Sequence, residues 1–145
     1  MDLSNHVKFT KQQTFDMIIE GLAKQGWKRA TTSTTCRYLT PDGLRCAAGQ
    51  LVAPDRYDSN LDSDMGTIPS RYDGHDADRY AGLIVKTGLA EHDLEFVREA
   101  QTIHDQAKHG GPKDQAETMR QGYVKLAREY GLVLPAALEE AAAAA

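Results

Sequence analysis

The 145-residue chain lacks most of the features from which a function is readily inferred. No apolar run approaches the roughly 18 residues that a membrane helix needs, and the N-terminus has neither the basic start nor the apolar stretch of a secretory signal. The formal net charge of −4 at pH 7 gives no basic footprint for nucleic acid. The two cysteines, with no signal before them, indicate free thiols in a reducing cytosol. We therefore predict a cytoplasmic protein with neither a membrane nor a nucleic-acid partner.

Recognisable cofactor motifs are also missing. The sequence has no glycine-rich phosphate loop, no nucleophile elbow and no dinucleotide fingerprint. The spaced acidic string from Asp58 to Asp64 resembles a calcium loop, but glycine is absent from its sixth position and Pro69 occupies the twelfth, where an acidic ligand belongs. We interpret the string as a solvated acidic loop and predict no cofactor and no bound metal.

What remains is the composition of an ordinary soluble domain. Hydrophobic residues make up 41% of the chain and charged residues 26%, and the length is sufficient for a core without disulfides or metals. We predict one globular domain over residues 1–135, followed by a low-complexity, alanine-rich tail over residues 136–145.

Four helices are indicated by capping signals and apolar periodicity. Thr10 and Gln13 have the spacing of a capping box, and apolar residues then recur at helical intervals until Gly26. Similar periodicity predicts helices over 76–86 and 91–108. A last helix should begin after Pro112 and end at Gly131.

The stretch from Cys36 to Cys46 predicts a β-hairpin. Pro41 and Gly43 suit a type I turn followed by a left-handed bulge position. In that register one strand face carries Cys36, Tyr38, Leu44 and Cys46, and the opposite face carries Arg37 and Arg45. We therefore predict an α+β fold that is mainly helical, with about four main helices and one β-hairpin packed on them by its cysteine-bearing face.

The two cysteines have three interpretations. A structural zinc site needs four ligands, usually from paired short-spaced cysteines, whereas nine residues separate Cys36 from Cys46 and there is no second pair. A disulfide is disfavoured because diagonal strand neighbours lie about 7–8 Å apart, and a bridge needs Cβ atoms about 4 Å apart. We predict that both are reduced, buried and metal-free.

Three His-Asp dipeptides are the main enzymatic signal. The pair His104 and Asp105 resembles the metal-binding step of HD-type phosphohydrolases, which need a further histidine and aspartate to complete a divalent metal site. His75 or His92, together with Asp114, are the nominees for those positions. The alternative is a hydrogen-bonded core histidine, because His104 lies at the edge of the apolar stripe of its helix.

The whole pattern resembles a group of small uncharacterised proteins encoded by bacteriophages and prophages. The resemblance spans roughly residues 10 to 132 and is carried by Cys36-x-Tyr38, Asp42-Gly43-x-x-Cys46-Ala47-x-Gly49-x-Leu51, Tyr57-Asp58 and Gln101-x-Ile103-His104-Asp105. It implies a bacterial host cytoplasm and a host or phage protein as partner, and it brings no known activity with it.

We therefore predict a non-enzymatic partner-binding protein, a phage-encoded accessory or host-modulating factor. The candidate partner-binding residues are Arg37 and Arg45 on one hairpin face and Tyr57 and Asp58 in the long loop that follows. No catalytic residue is predicted. The alternative is a metal-dependent hydrolase centred on His104 and Asp105.

Overall fold

The computed structural model describes residues 3–32, 36–66, 68–69, 72 and 74–144. Within these ranges the chain forms six α-helices: α1 (Lys11–Lys24), α2 (His75–Arg79), α3 (Ala81–Lys86), α4 (Leu94–Gln106), α5 (Pro112–Tyr130) and α6 (Ala136–Ala144). Shorter helical turns connect them at Ser4–His6, Ala48–Leu51, Pro54–Arg56, Leu61–Met65 and Leu89–Glu91. The described residues form no sheet, and none of their helices has the length and apolar character needed to cross a membrane.

The first helix begins where its capping residues place it. Thr10 Oγ1 accepts the Gln13 N–H at 3.1 Å, and Gln13 Oε1 accepts the Thr10 N–H at 2.9 Å, so the predicted capping box is present. Gly26 follows the helix in a left-handed conformation, and the chain then folds back so that the backbone N–H of Trp27 donates to the Leu22 carbonyl at 2.8 Å. The indole is buried as a result, and α1 presents its whole apolar side to the core.

Aromatic contacts join the three longest helices around this core. Phe15 of α1 meets Phe96 of α4 and Tyr123 of α5 edge to face, with ring centroids 6.4 Å apart in both pairs. The Tyr123 hydroxyl donates to the Ala100 carbonyl at 2.8 Å, which satisfies the one polar atom of that buried ring. These contacts fix α4 relative to α1 and α5.

The predicted β-hairpin is wrong, although its turn is present. Gly43 is left-handed at φ 89°, and the isolated bridge between Leu39 and Arg45 has the predicted register. The ladder stops there because other groups take the atoms that would extend it. The Tyr38 N–H donates to Asp62 Oδ1 at 2.7 Å, and the Cys46 carbonyl accepts the Gln50 N–H at 3.0 Å. The fold is helical, not α+β, with a loop where the hairpin was expected.

A glycine lets the chain turn helical directly after this loop. A Cβ added to Gly49 would lie 2.1 Å from the carbonyl oxygen of Tyr38, so only glycine fits this approach. Ala47 and Ala48 are fully buried beside it. The spacing of small residues after Cys46 therefore reflects close packing of the Ala48–Leu51 turn against the loop.

Two predicted helices differ in their bounds, and the predicted tail contains a helix. The helix predicted over 76–86 is interrupted at Tyr80, and the helix predicted over 91–108 begins only at Leu94, where the Asp93 carboxylate accepts the Phe96 N–H at 3.0 Å. The segment predicted as a tail forms α6, whose Leu138 is fully buried against the rest of the fold.

Candidate functional site

A small cleft lies between the loop of residues 36–46 and α4. It measures about 120 Å³ and is lined by Cys36, Arg37, Tyr38, Cys46, Gly66, Ile68, Arg98, Gln101, Thr102 and Asp105. Pockets that hold drug-sized ligands measure about 300–1,000 Å³. The cleft therefore suits a single functional group or side chain.

One side of the cleft is a polar stripe on α4. Arg98, Gln101, Thr102 and Asp105 occupy positions i, i+3, i+4 and i+7, so they share one helix face. Of these four, only Asp105 is among the residues that the sequence predicts for a site, because the apolar periodicity of this helix indicates its buried face alone. The polar stripe opposite was the signal that could have indicated the others.

His104 joins α4 to the segment after α1. Its ring is fully buried, Nδ1 lies 2.9 Å from Asp105 Oδ1, and Nε2 lies 3.1 Å from the backbone nitrogen of Ala30. A backbone N–H only donates, so Nε2 is the acceptor and Nδ1 carries the proton that it gives to Asp105. His104 is therefore neutral, and both ring nitrogens are engaged.

Asp105 is the acceptor at the centre of this network. Burial pushes its pKa up, but hydrogen bonds from His104, Cys36 and Gln101 outweigh burial and hold the pKa below its usual value. The Gln101 amide donates to Oδ1 at 2.7 Å. Asp105 is thus ionised at neutral pH.

Cys36 is a protonated thiol in this setting. Burial, followed by the negative charge of Asp105, raises its pKa to about 11, and Arg29, with Nη2 3.3 Å from Sγ, only partly offsets these effects. Arg29 also donates to the carbonyls of His104 and Asp105 at 3.0 and 2.8 Å, which caps the C-terminal end of α4. Cys36 is half-buried and Cys46 is fully buried, and both are free. Because the thiolate is the nucleophile, Cys36 is a weak one here.

The three groups also constitute the one potential metal cluster in the part of the chain that the structure describes. Ligand atoms of Cys36, His104 and Asp105 lie within 4.8 Å of one another. If Nδ1 of His104 bound a metal, the proton of the neutral ring would be on Nε2. Nε2 could then no longer accept the hydrogen bond from the Ala30 N–H, and two N–H groups would face each other. The geometry is thus that of a hydrogen-bond network and does not fit a metal centre.

The other nominees for a hydrolase site are not brought to this cluster. His92 is buried elsewhere, with Nδ1 2.6 Å from Thr14 Oγ1 and its ring stacked on Phe9. His75 and Asp114 are exposed in the first turns of α2 and α5. None of the three joins His104 and Asp105 in the potential metal cluster.

Two of the predicted partner-binding residues share a neighbour. Arg37 Nε lies 4.0 Å from Asp62 Oδ1, and the Tyr57 hydroxyl donates to Asp62 Oδ2 at 2.6 Å. Burial, followed by the hydrogen bond to Asp62, raises the pKa of Tyr57 to about 12. Of the two, Arg37 lines the cleft.

The other two predicted residues face elsewhere. Arg45 Nη1 donates to the carbonyls of Gly49, at 3.3 Å, and of Val52. Its guanidinium therefore holds the loop to the Ala48–Leu51 turn. Asp58 pairs with Lys86 Nζ at 2.8 Å, and that hydrogen bond lowers its pKa.

One buried polar side-chain atom of the residues that line the cleft is unpartnered. Tyr38 is 4% exposed, and its hydroxyl is the only buried side-chain nitrogen or oxygen without a hydrogen-bond partner among the described residues. Burial, followed by electrostatic interactions with Cys46, Asp62 and Asp105, raises the pKa of Tyr38, so the hydroxyl is neutral and able both to donate and to accept. A buried hydroxyl in this state calls for a partner.

Comparisons with protein-family models, with curated proteins and with solved structures gave no match.

Proposed function

We propose that this protein is a non-enzymatic binding protein that captures a partner through the cleft between the loop of residues 36–46 and α4. The resemblance to phage-encoded proteins supports a host or phage protein as the partner, met in the cytoplasm of a bacterial host cell. The observation that carries the proposal is the buried, unpartnered hydroxyl of Tyr38, a residue that lines the cleft.

Neither Cys36 nor His104 is in a state suited to catalysis in the cleft. A Cys36 thiol with a pKa of about 11 supplies little thiolate at neutral pH, and His104 has no free ring nitrogen to act as its base. No specific observation favours the metal-dependent hydrolase, because His75, His92 and Asp114 lie outside the cluster.

We expect Tyr38→Phe to increase stability while it weakens partner binding. Removing a buried hydroxyl without a partner relieves its desolvation cost, so the free energy of unfolding should rise by about 1 kcal/mol. Urea denaturation measures this change. Tyr57→Phe is the matched control, because it removes a hydroxyl bonded to Asp62 and should lower the free energy of unfolding by about 1 kcal/mol. Equal losses in both variants would mean that the Tyr38 hydroxyl is satisfied within the protein.

Site-specific photo-crosslinking tests the binding role itself. A photoreactive amino acid is placed at Thr102, on the exposed rim of the cleft, or at Lys113, exposed at the start of α5. In bacterial lysate, we expect one protein to crosslink at position 102 and not at 113, and the crosslink to weaken when Tyr38→Phe is added. The crosslinked protein is then purified and its binding is measured directly. Equal crosslinking at both positions, or no effect of Tyr38→Phe, would contradict the proposal.

A further inference from the structure

We infer that the cleft, which Arg37, Arg98 and Tyr38 line together, recognises a carboxylate group of the partner protein through the two guanidiniums. This inference rests on the proposed function and names the chemistry of the same site. The two guanidiniums come from opposite walls, because Arg37 belongs to the loop and Arg98 belongs to α4.

The residues that line the cleft carry more hydrogen-bond donors than acceptors. Asp105 already accepts from His104, Gln101 and Cys36, which uses most of the acceptor capacity of one carboxylate. Arg98 gives one hydrogen bond, from Nη1 to the Ile68 carbonyl at 3.1 Å, among the described residues. Arg37 lies 4.0 Å from Asp62 Oδ1 and hydrogen-bonds to the Tyr57 hydroxyl. A guanidinium carries five N–H donors, so both arginines have more donors than these acceptors use among the described residues, which favours an acceptor group as ligand.

The charge of the cleft also favours an anionic acceptor group as the ligand. Among the residues that line the cleft, Arg37 and Arg98 are cationic and Asp105 is ionised, which leaves one excess positive charge in a chain whose net charge is −4. Asp62, 4.0 Å from Arg37, and Arg29, 3.3 Å from Cys36 Sγ, lie outside this lining and carry opposite formal charges. A carboxylate carries one negative charge. A phosphoryl group carries about −1.5 to −2 at pH 7 and would be repelled more strongly by Asp105.

Geometry also favours a small planar anion. A guanidinium binds a carboxylate through parallel N–H bonds in one plane, which an ammonium group does not reproduce. The cleft volume of about 120 Å³ accommodates such a group at the end of a side chain or of a polypeptide. The Tyr38 hydroxyl, which has no partner among the described residues, would donate to one of the carboxylate oxygens.

Arginine Nε–H signals in ¹⁵N NMR spectra provide the test in the intact protein. Titration with sodium acetate should shift the signals of Arg37 and Arg98 to saturation, whereas sodium chloride at equal ionic strength should not, and inorganic phosphate should bind more weakly. Arg37→Lys and Arg98→Lys keep the charge but lose the fork, and each should weaken acetate binding by about tenfold. Arg128→Lys, at an exposed position of α5, is the matched control and should leave binding unchanged.

Three outcomes of the NMR titrations would overturn the inference. These are equal shifts at Arg128, tighter binding of phosphate than of acetate, and unchanged acetate affinity in both cleft variants.

Acetylated peptides ending in a free carboxylate or in an amide, each with and without an internal glutamate, then distinguish a chain terminus from an acidic side chain as the source. If a partner crosslinks at Thr102 and acetate does not compete, the inference fails while the proposed function stands. If acetate binds at the two arginines and no partner crosslinks, the carboxylate site stands while the proposed function fails.

Discussion

His104→Ala is expected to lower the free energy of unfolding by about 4 kcal/mol, the largest effect of any single change considered. The ring is fully buried, and its removal leaves the Ala30 N–H without an acceptor and Asp105 without one of its donors. Each orphaned buried group costs about 1–3 kcal/mol, and the cavity left by the ring adds to this. Urea or thermal denaturation measures the change.

A second variant separates the effect of the lost hydrogen bonds from that of the cavity left by the ring, and an exposed histidine serves as the control. His104→Gln places an amide oxygen near the former Nε2 position, where it can accept from Ala30, so we expect it to recover about half of the loss. His109→Ala, at an exposed position, should change stability by less than about 0.5 kcal/mol. A loss below about 1 kcal/mol for His104→Ala would contradict the buried network. Metal-dependent phosphodiesterase activity that a folded His104→Gln variant lacks would favour the hydrolase alternative.

Short-range signals predicted the local structure well. The capping box of Thr10 and Gln13 is complete within four residues, and the turn at Gly43 depends on the backbone freedom of one residue. Both are present, because no distant group competes for the atoms that they use.

The hairpin does not extend because the two backbone groups of its next ladder pair have other partners. Asp62, 24 residues along the chain, accepts the Tyr38 N–H, and the Cys46 carbonyl accepts the Gln50 N–H at 3.0 Å. Alternation along a strand indicates which face is apolar, but it does not show what else competes for the ladder. The cleft depends on the same long-range contacts, so only its α4 stripe, from Arg98 to Asp105, was accessible to sequence periodicity.

The protein is also expected to lose stability as the pH falls from about 6.5 toward 4, because of His92. Burial lowers the pKa of His92 from 6.5 to about 4, despite the opposing charge of Glu91. Nδ1 lies 2.6 Å from the buried Thr14 hydroxyl, and the ring stacks on Phe9 with centroids 4.6 Å apart. The fold therefore holds the neutral imidazole between α1 and the segment before it.

The sign follows from proton binding. Between the two pKa values the unfolded chain binds a proton at His92 that the folded protein does not, so acid favours unfolding. A pKa unit is worth about 1.4 kcal/mol, so the full shift corresponds to about 3 kcal/mol, lost across this window and present above it. The depressed pKa of Asp105 acts in the same direction at lower pH, because a carboxylate must be protonated before its stabilisation is lost.

His92→Asn isolates the contribution of this histidine. Asparagine can bond to Thr14 but does not titrate, so the variant should be less stable at pH 7.5 and yet show little change in the free energy of unfolding between pH 6.5 and 4. The control His109→Asn, at an exposed position, should keep the wild-type slope. Urea denaturation at half-unit pH intervals measures these slopes. An equal slope in wild type and His92→Asn would mean that the acid sensitivity arises from the carboxylates, because the only group removed from the titration is the imidazole that α1 and Phe9 enclose.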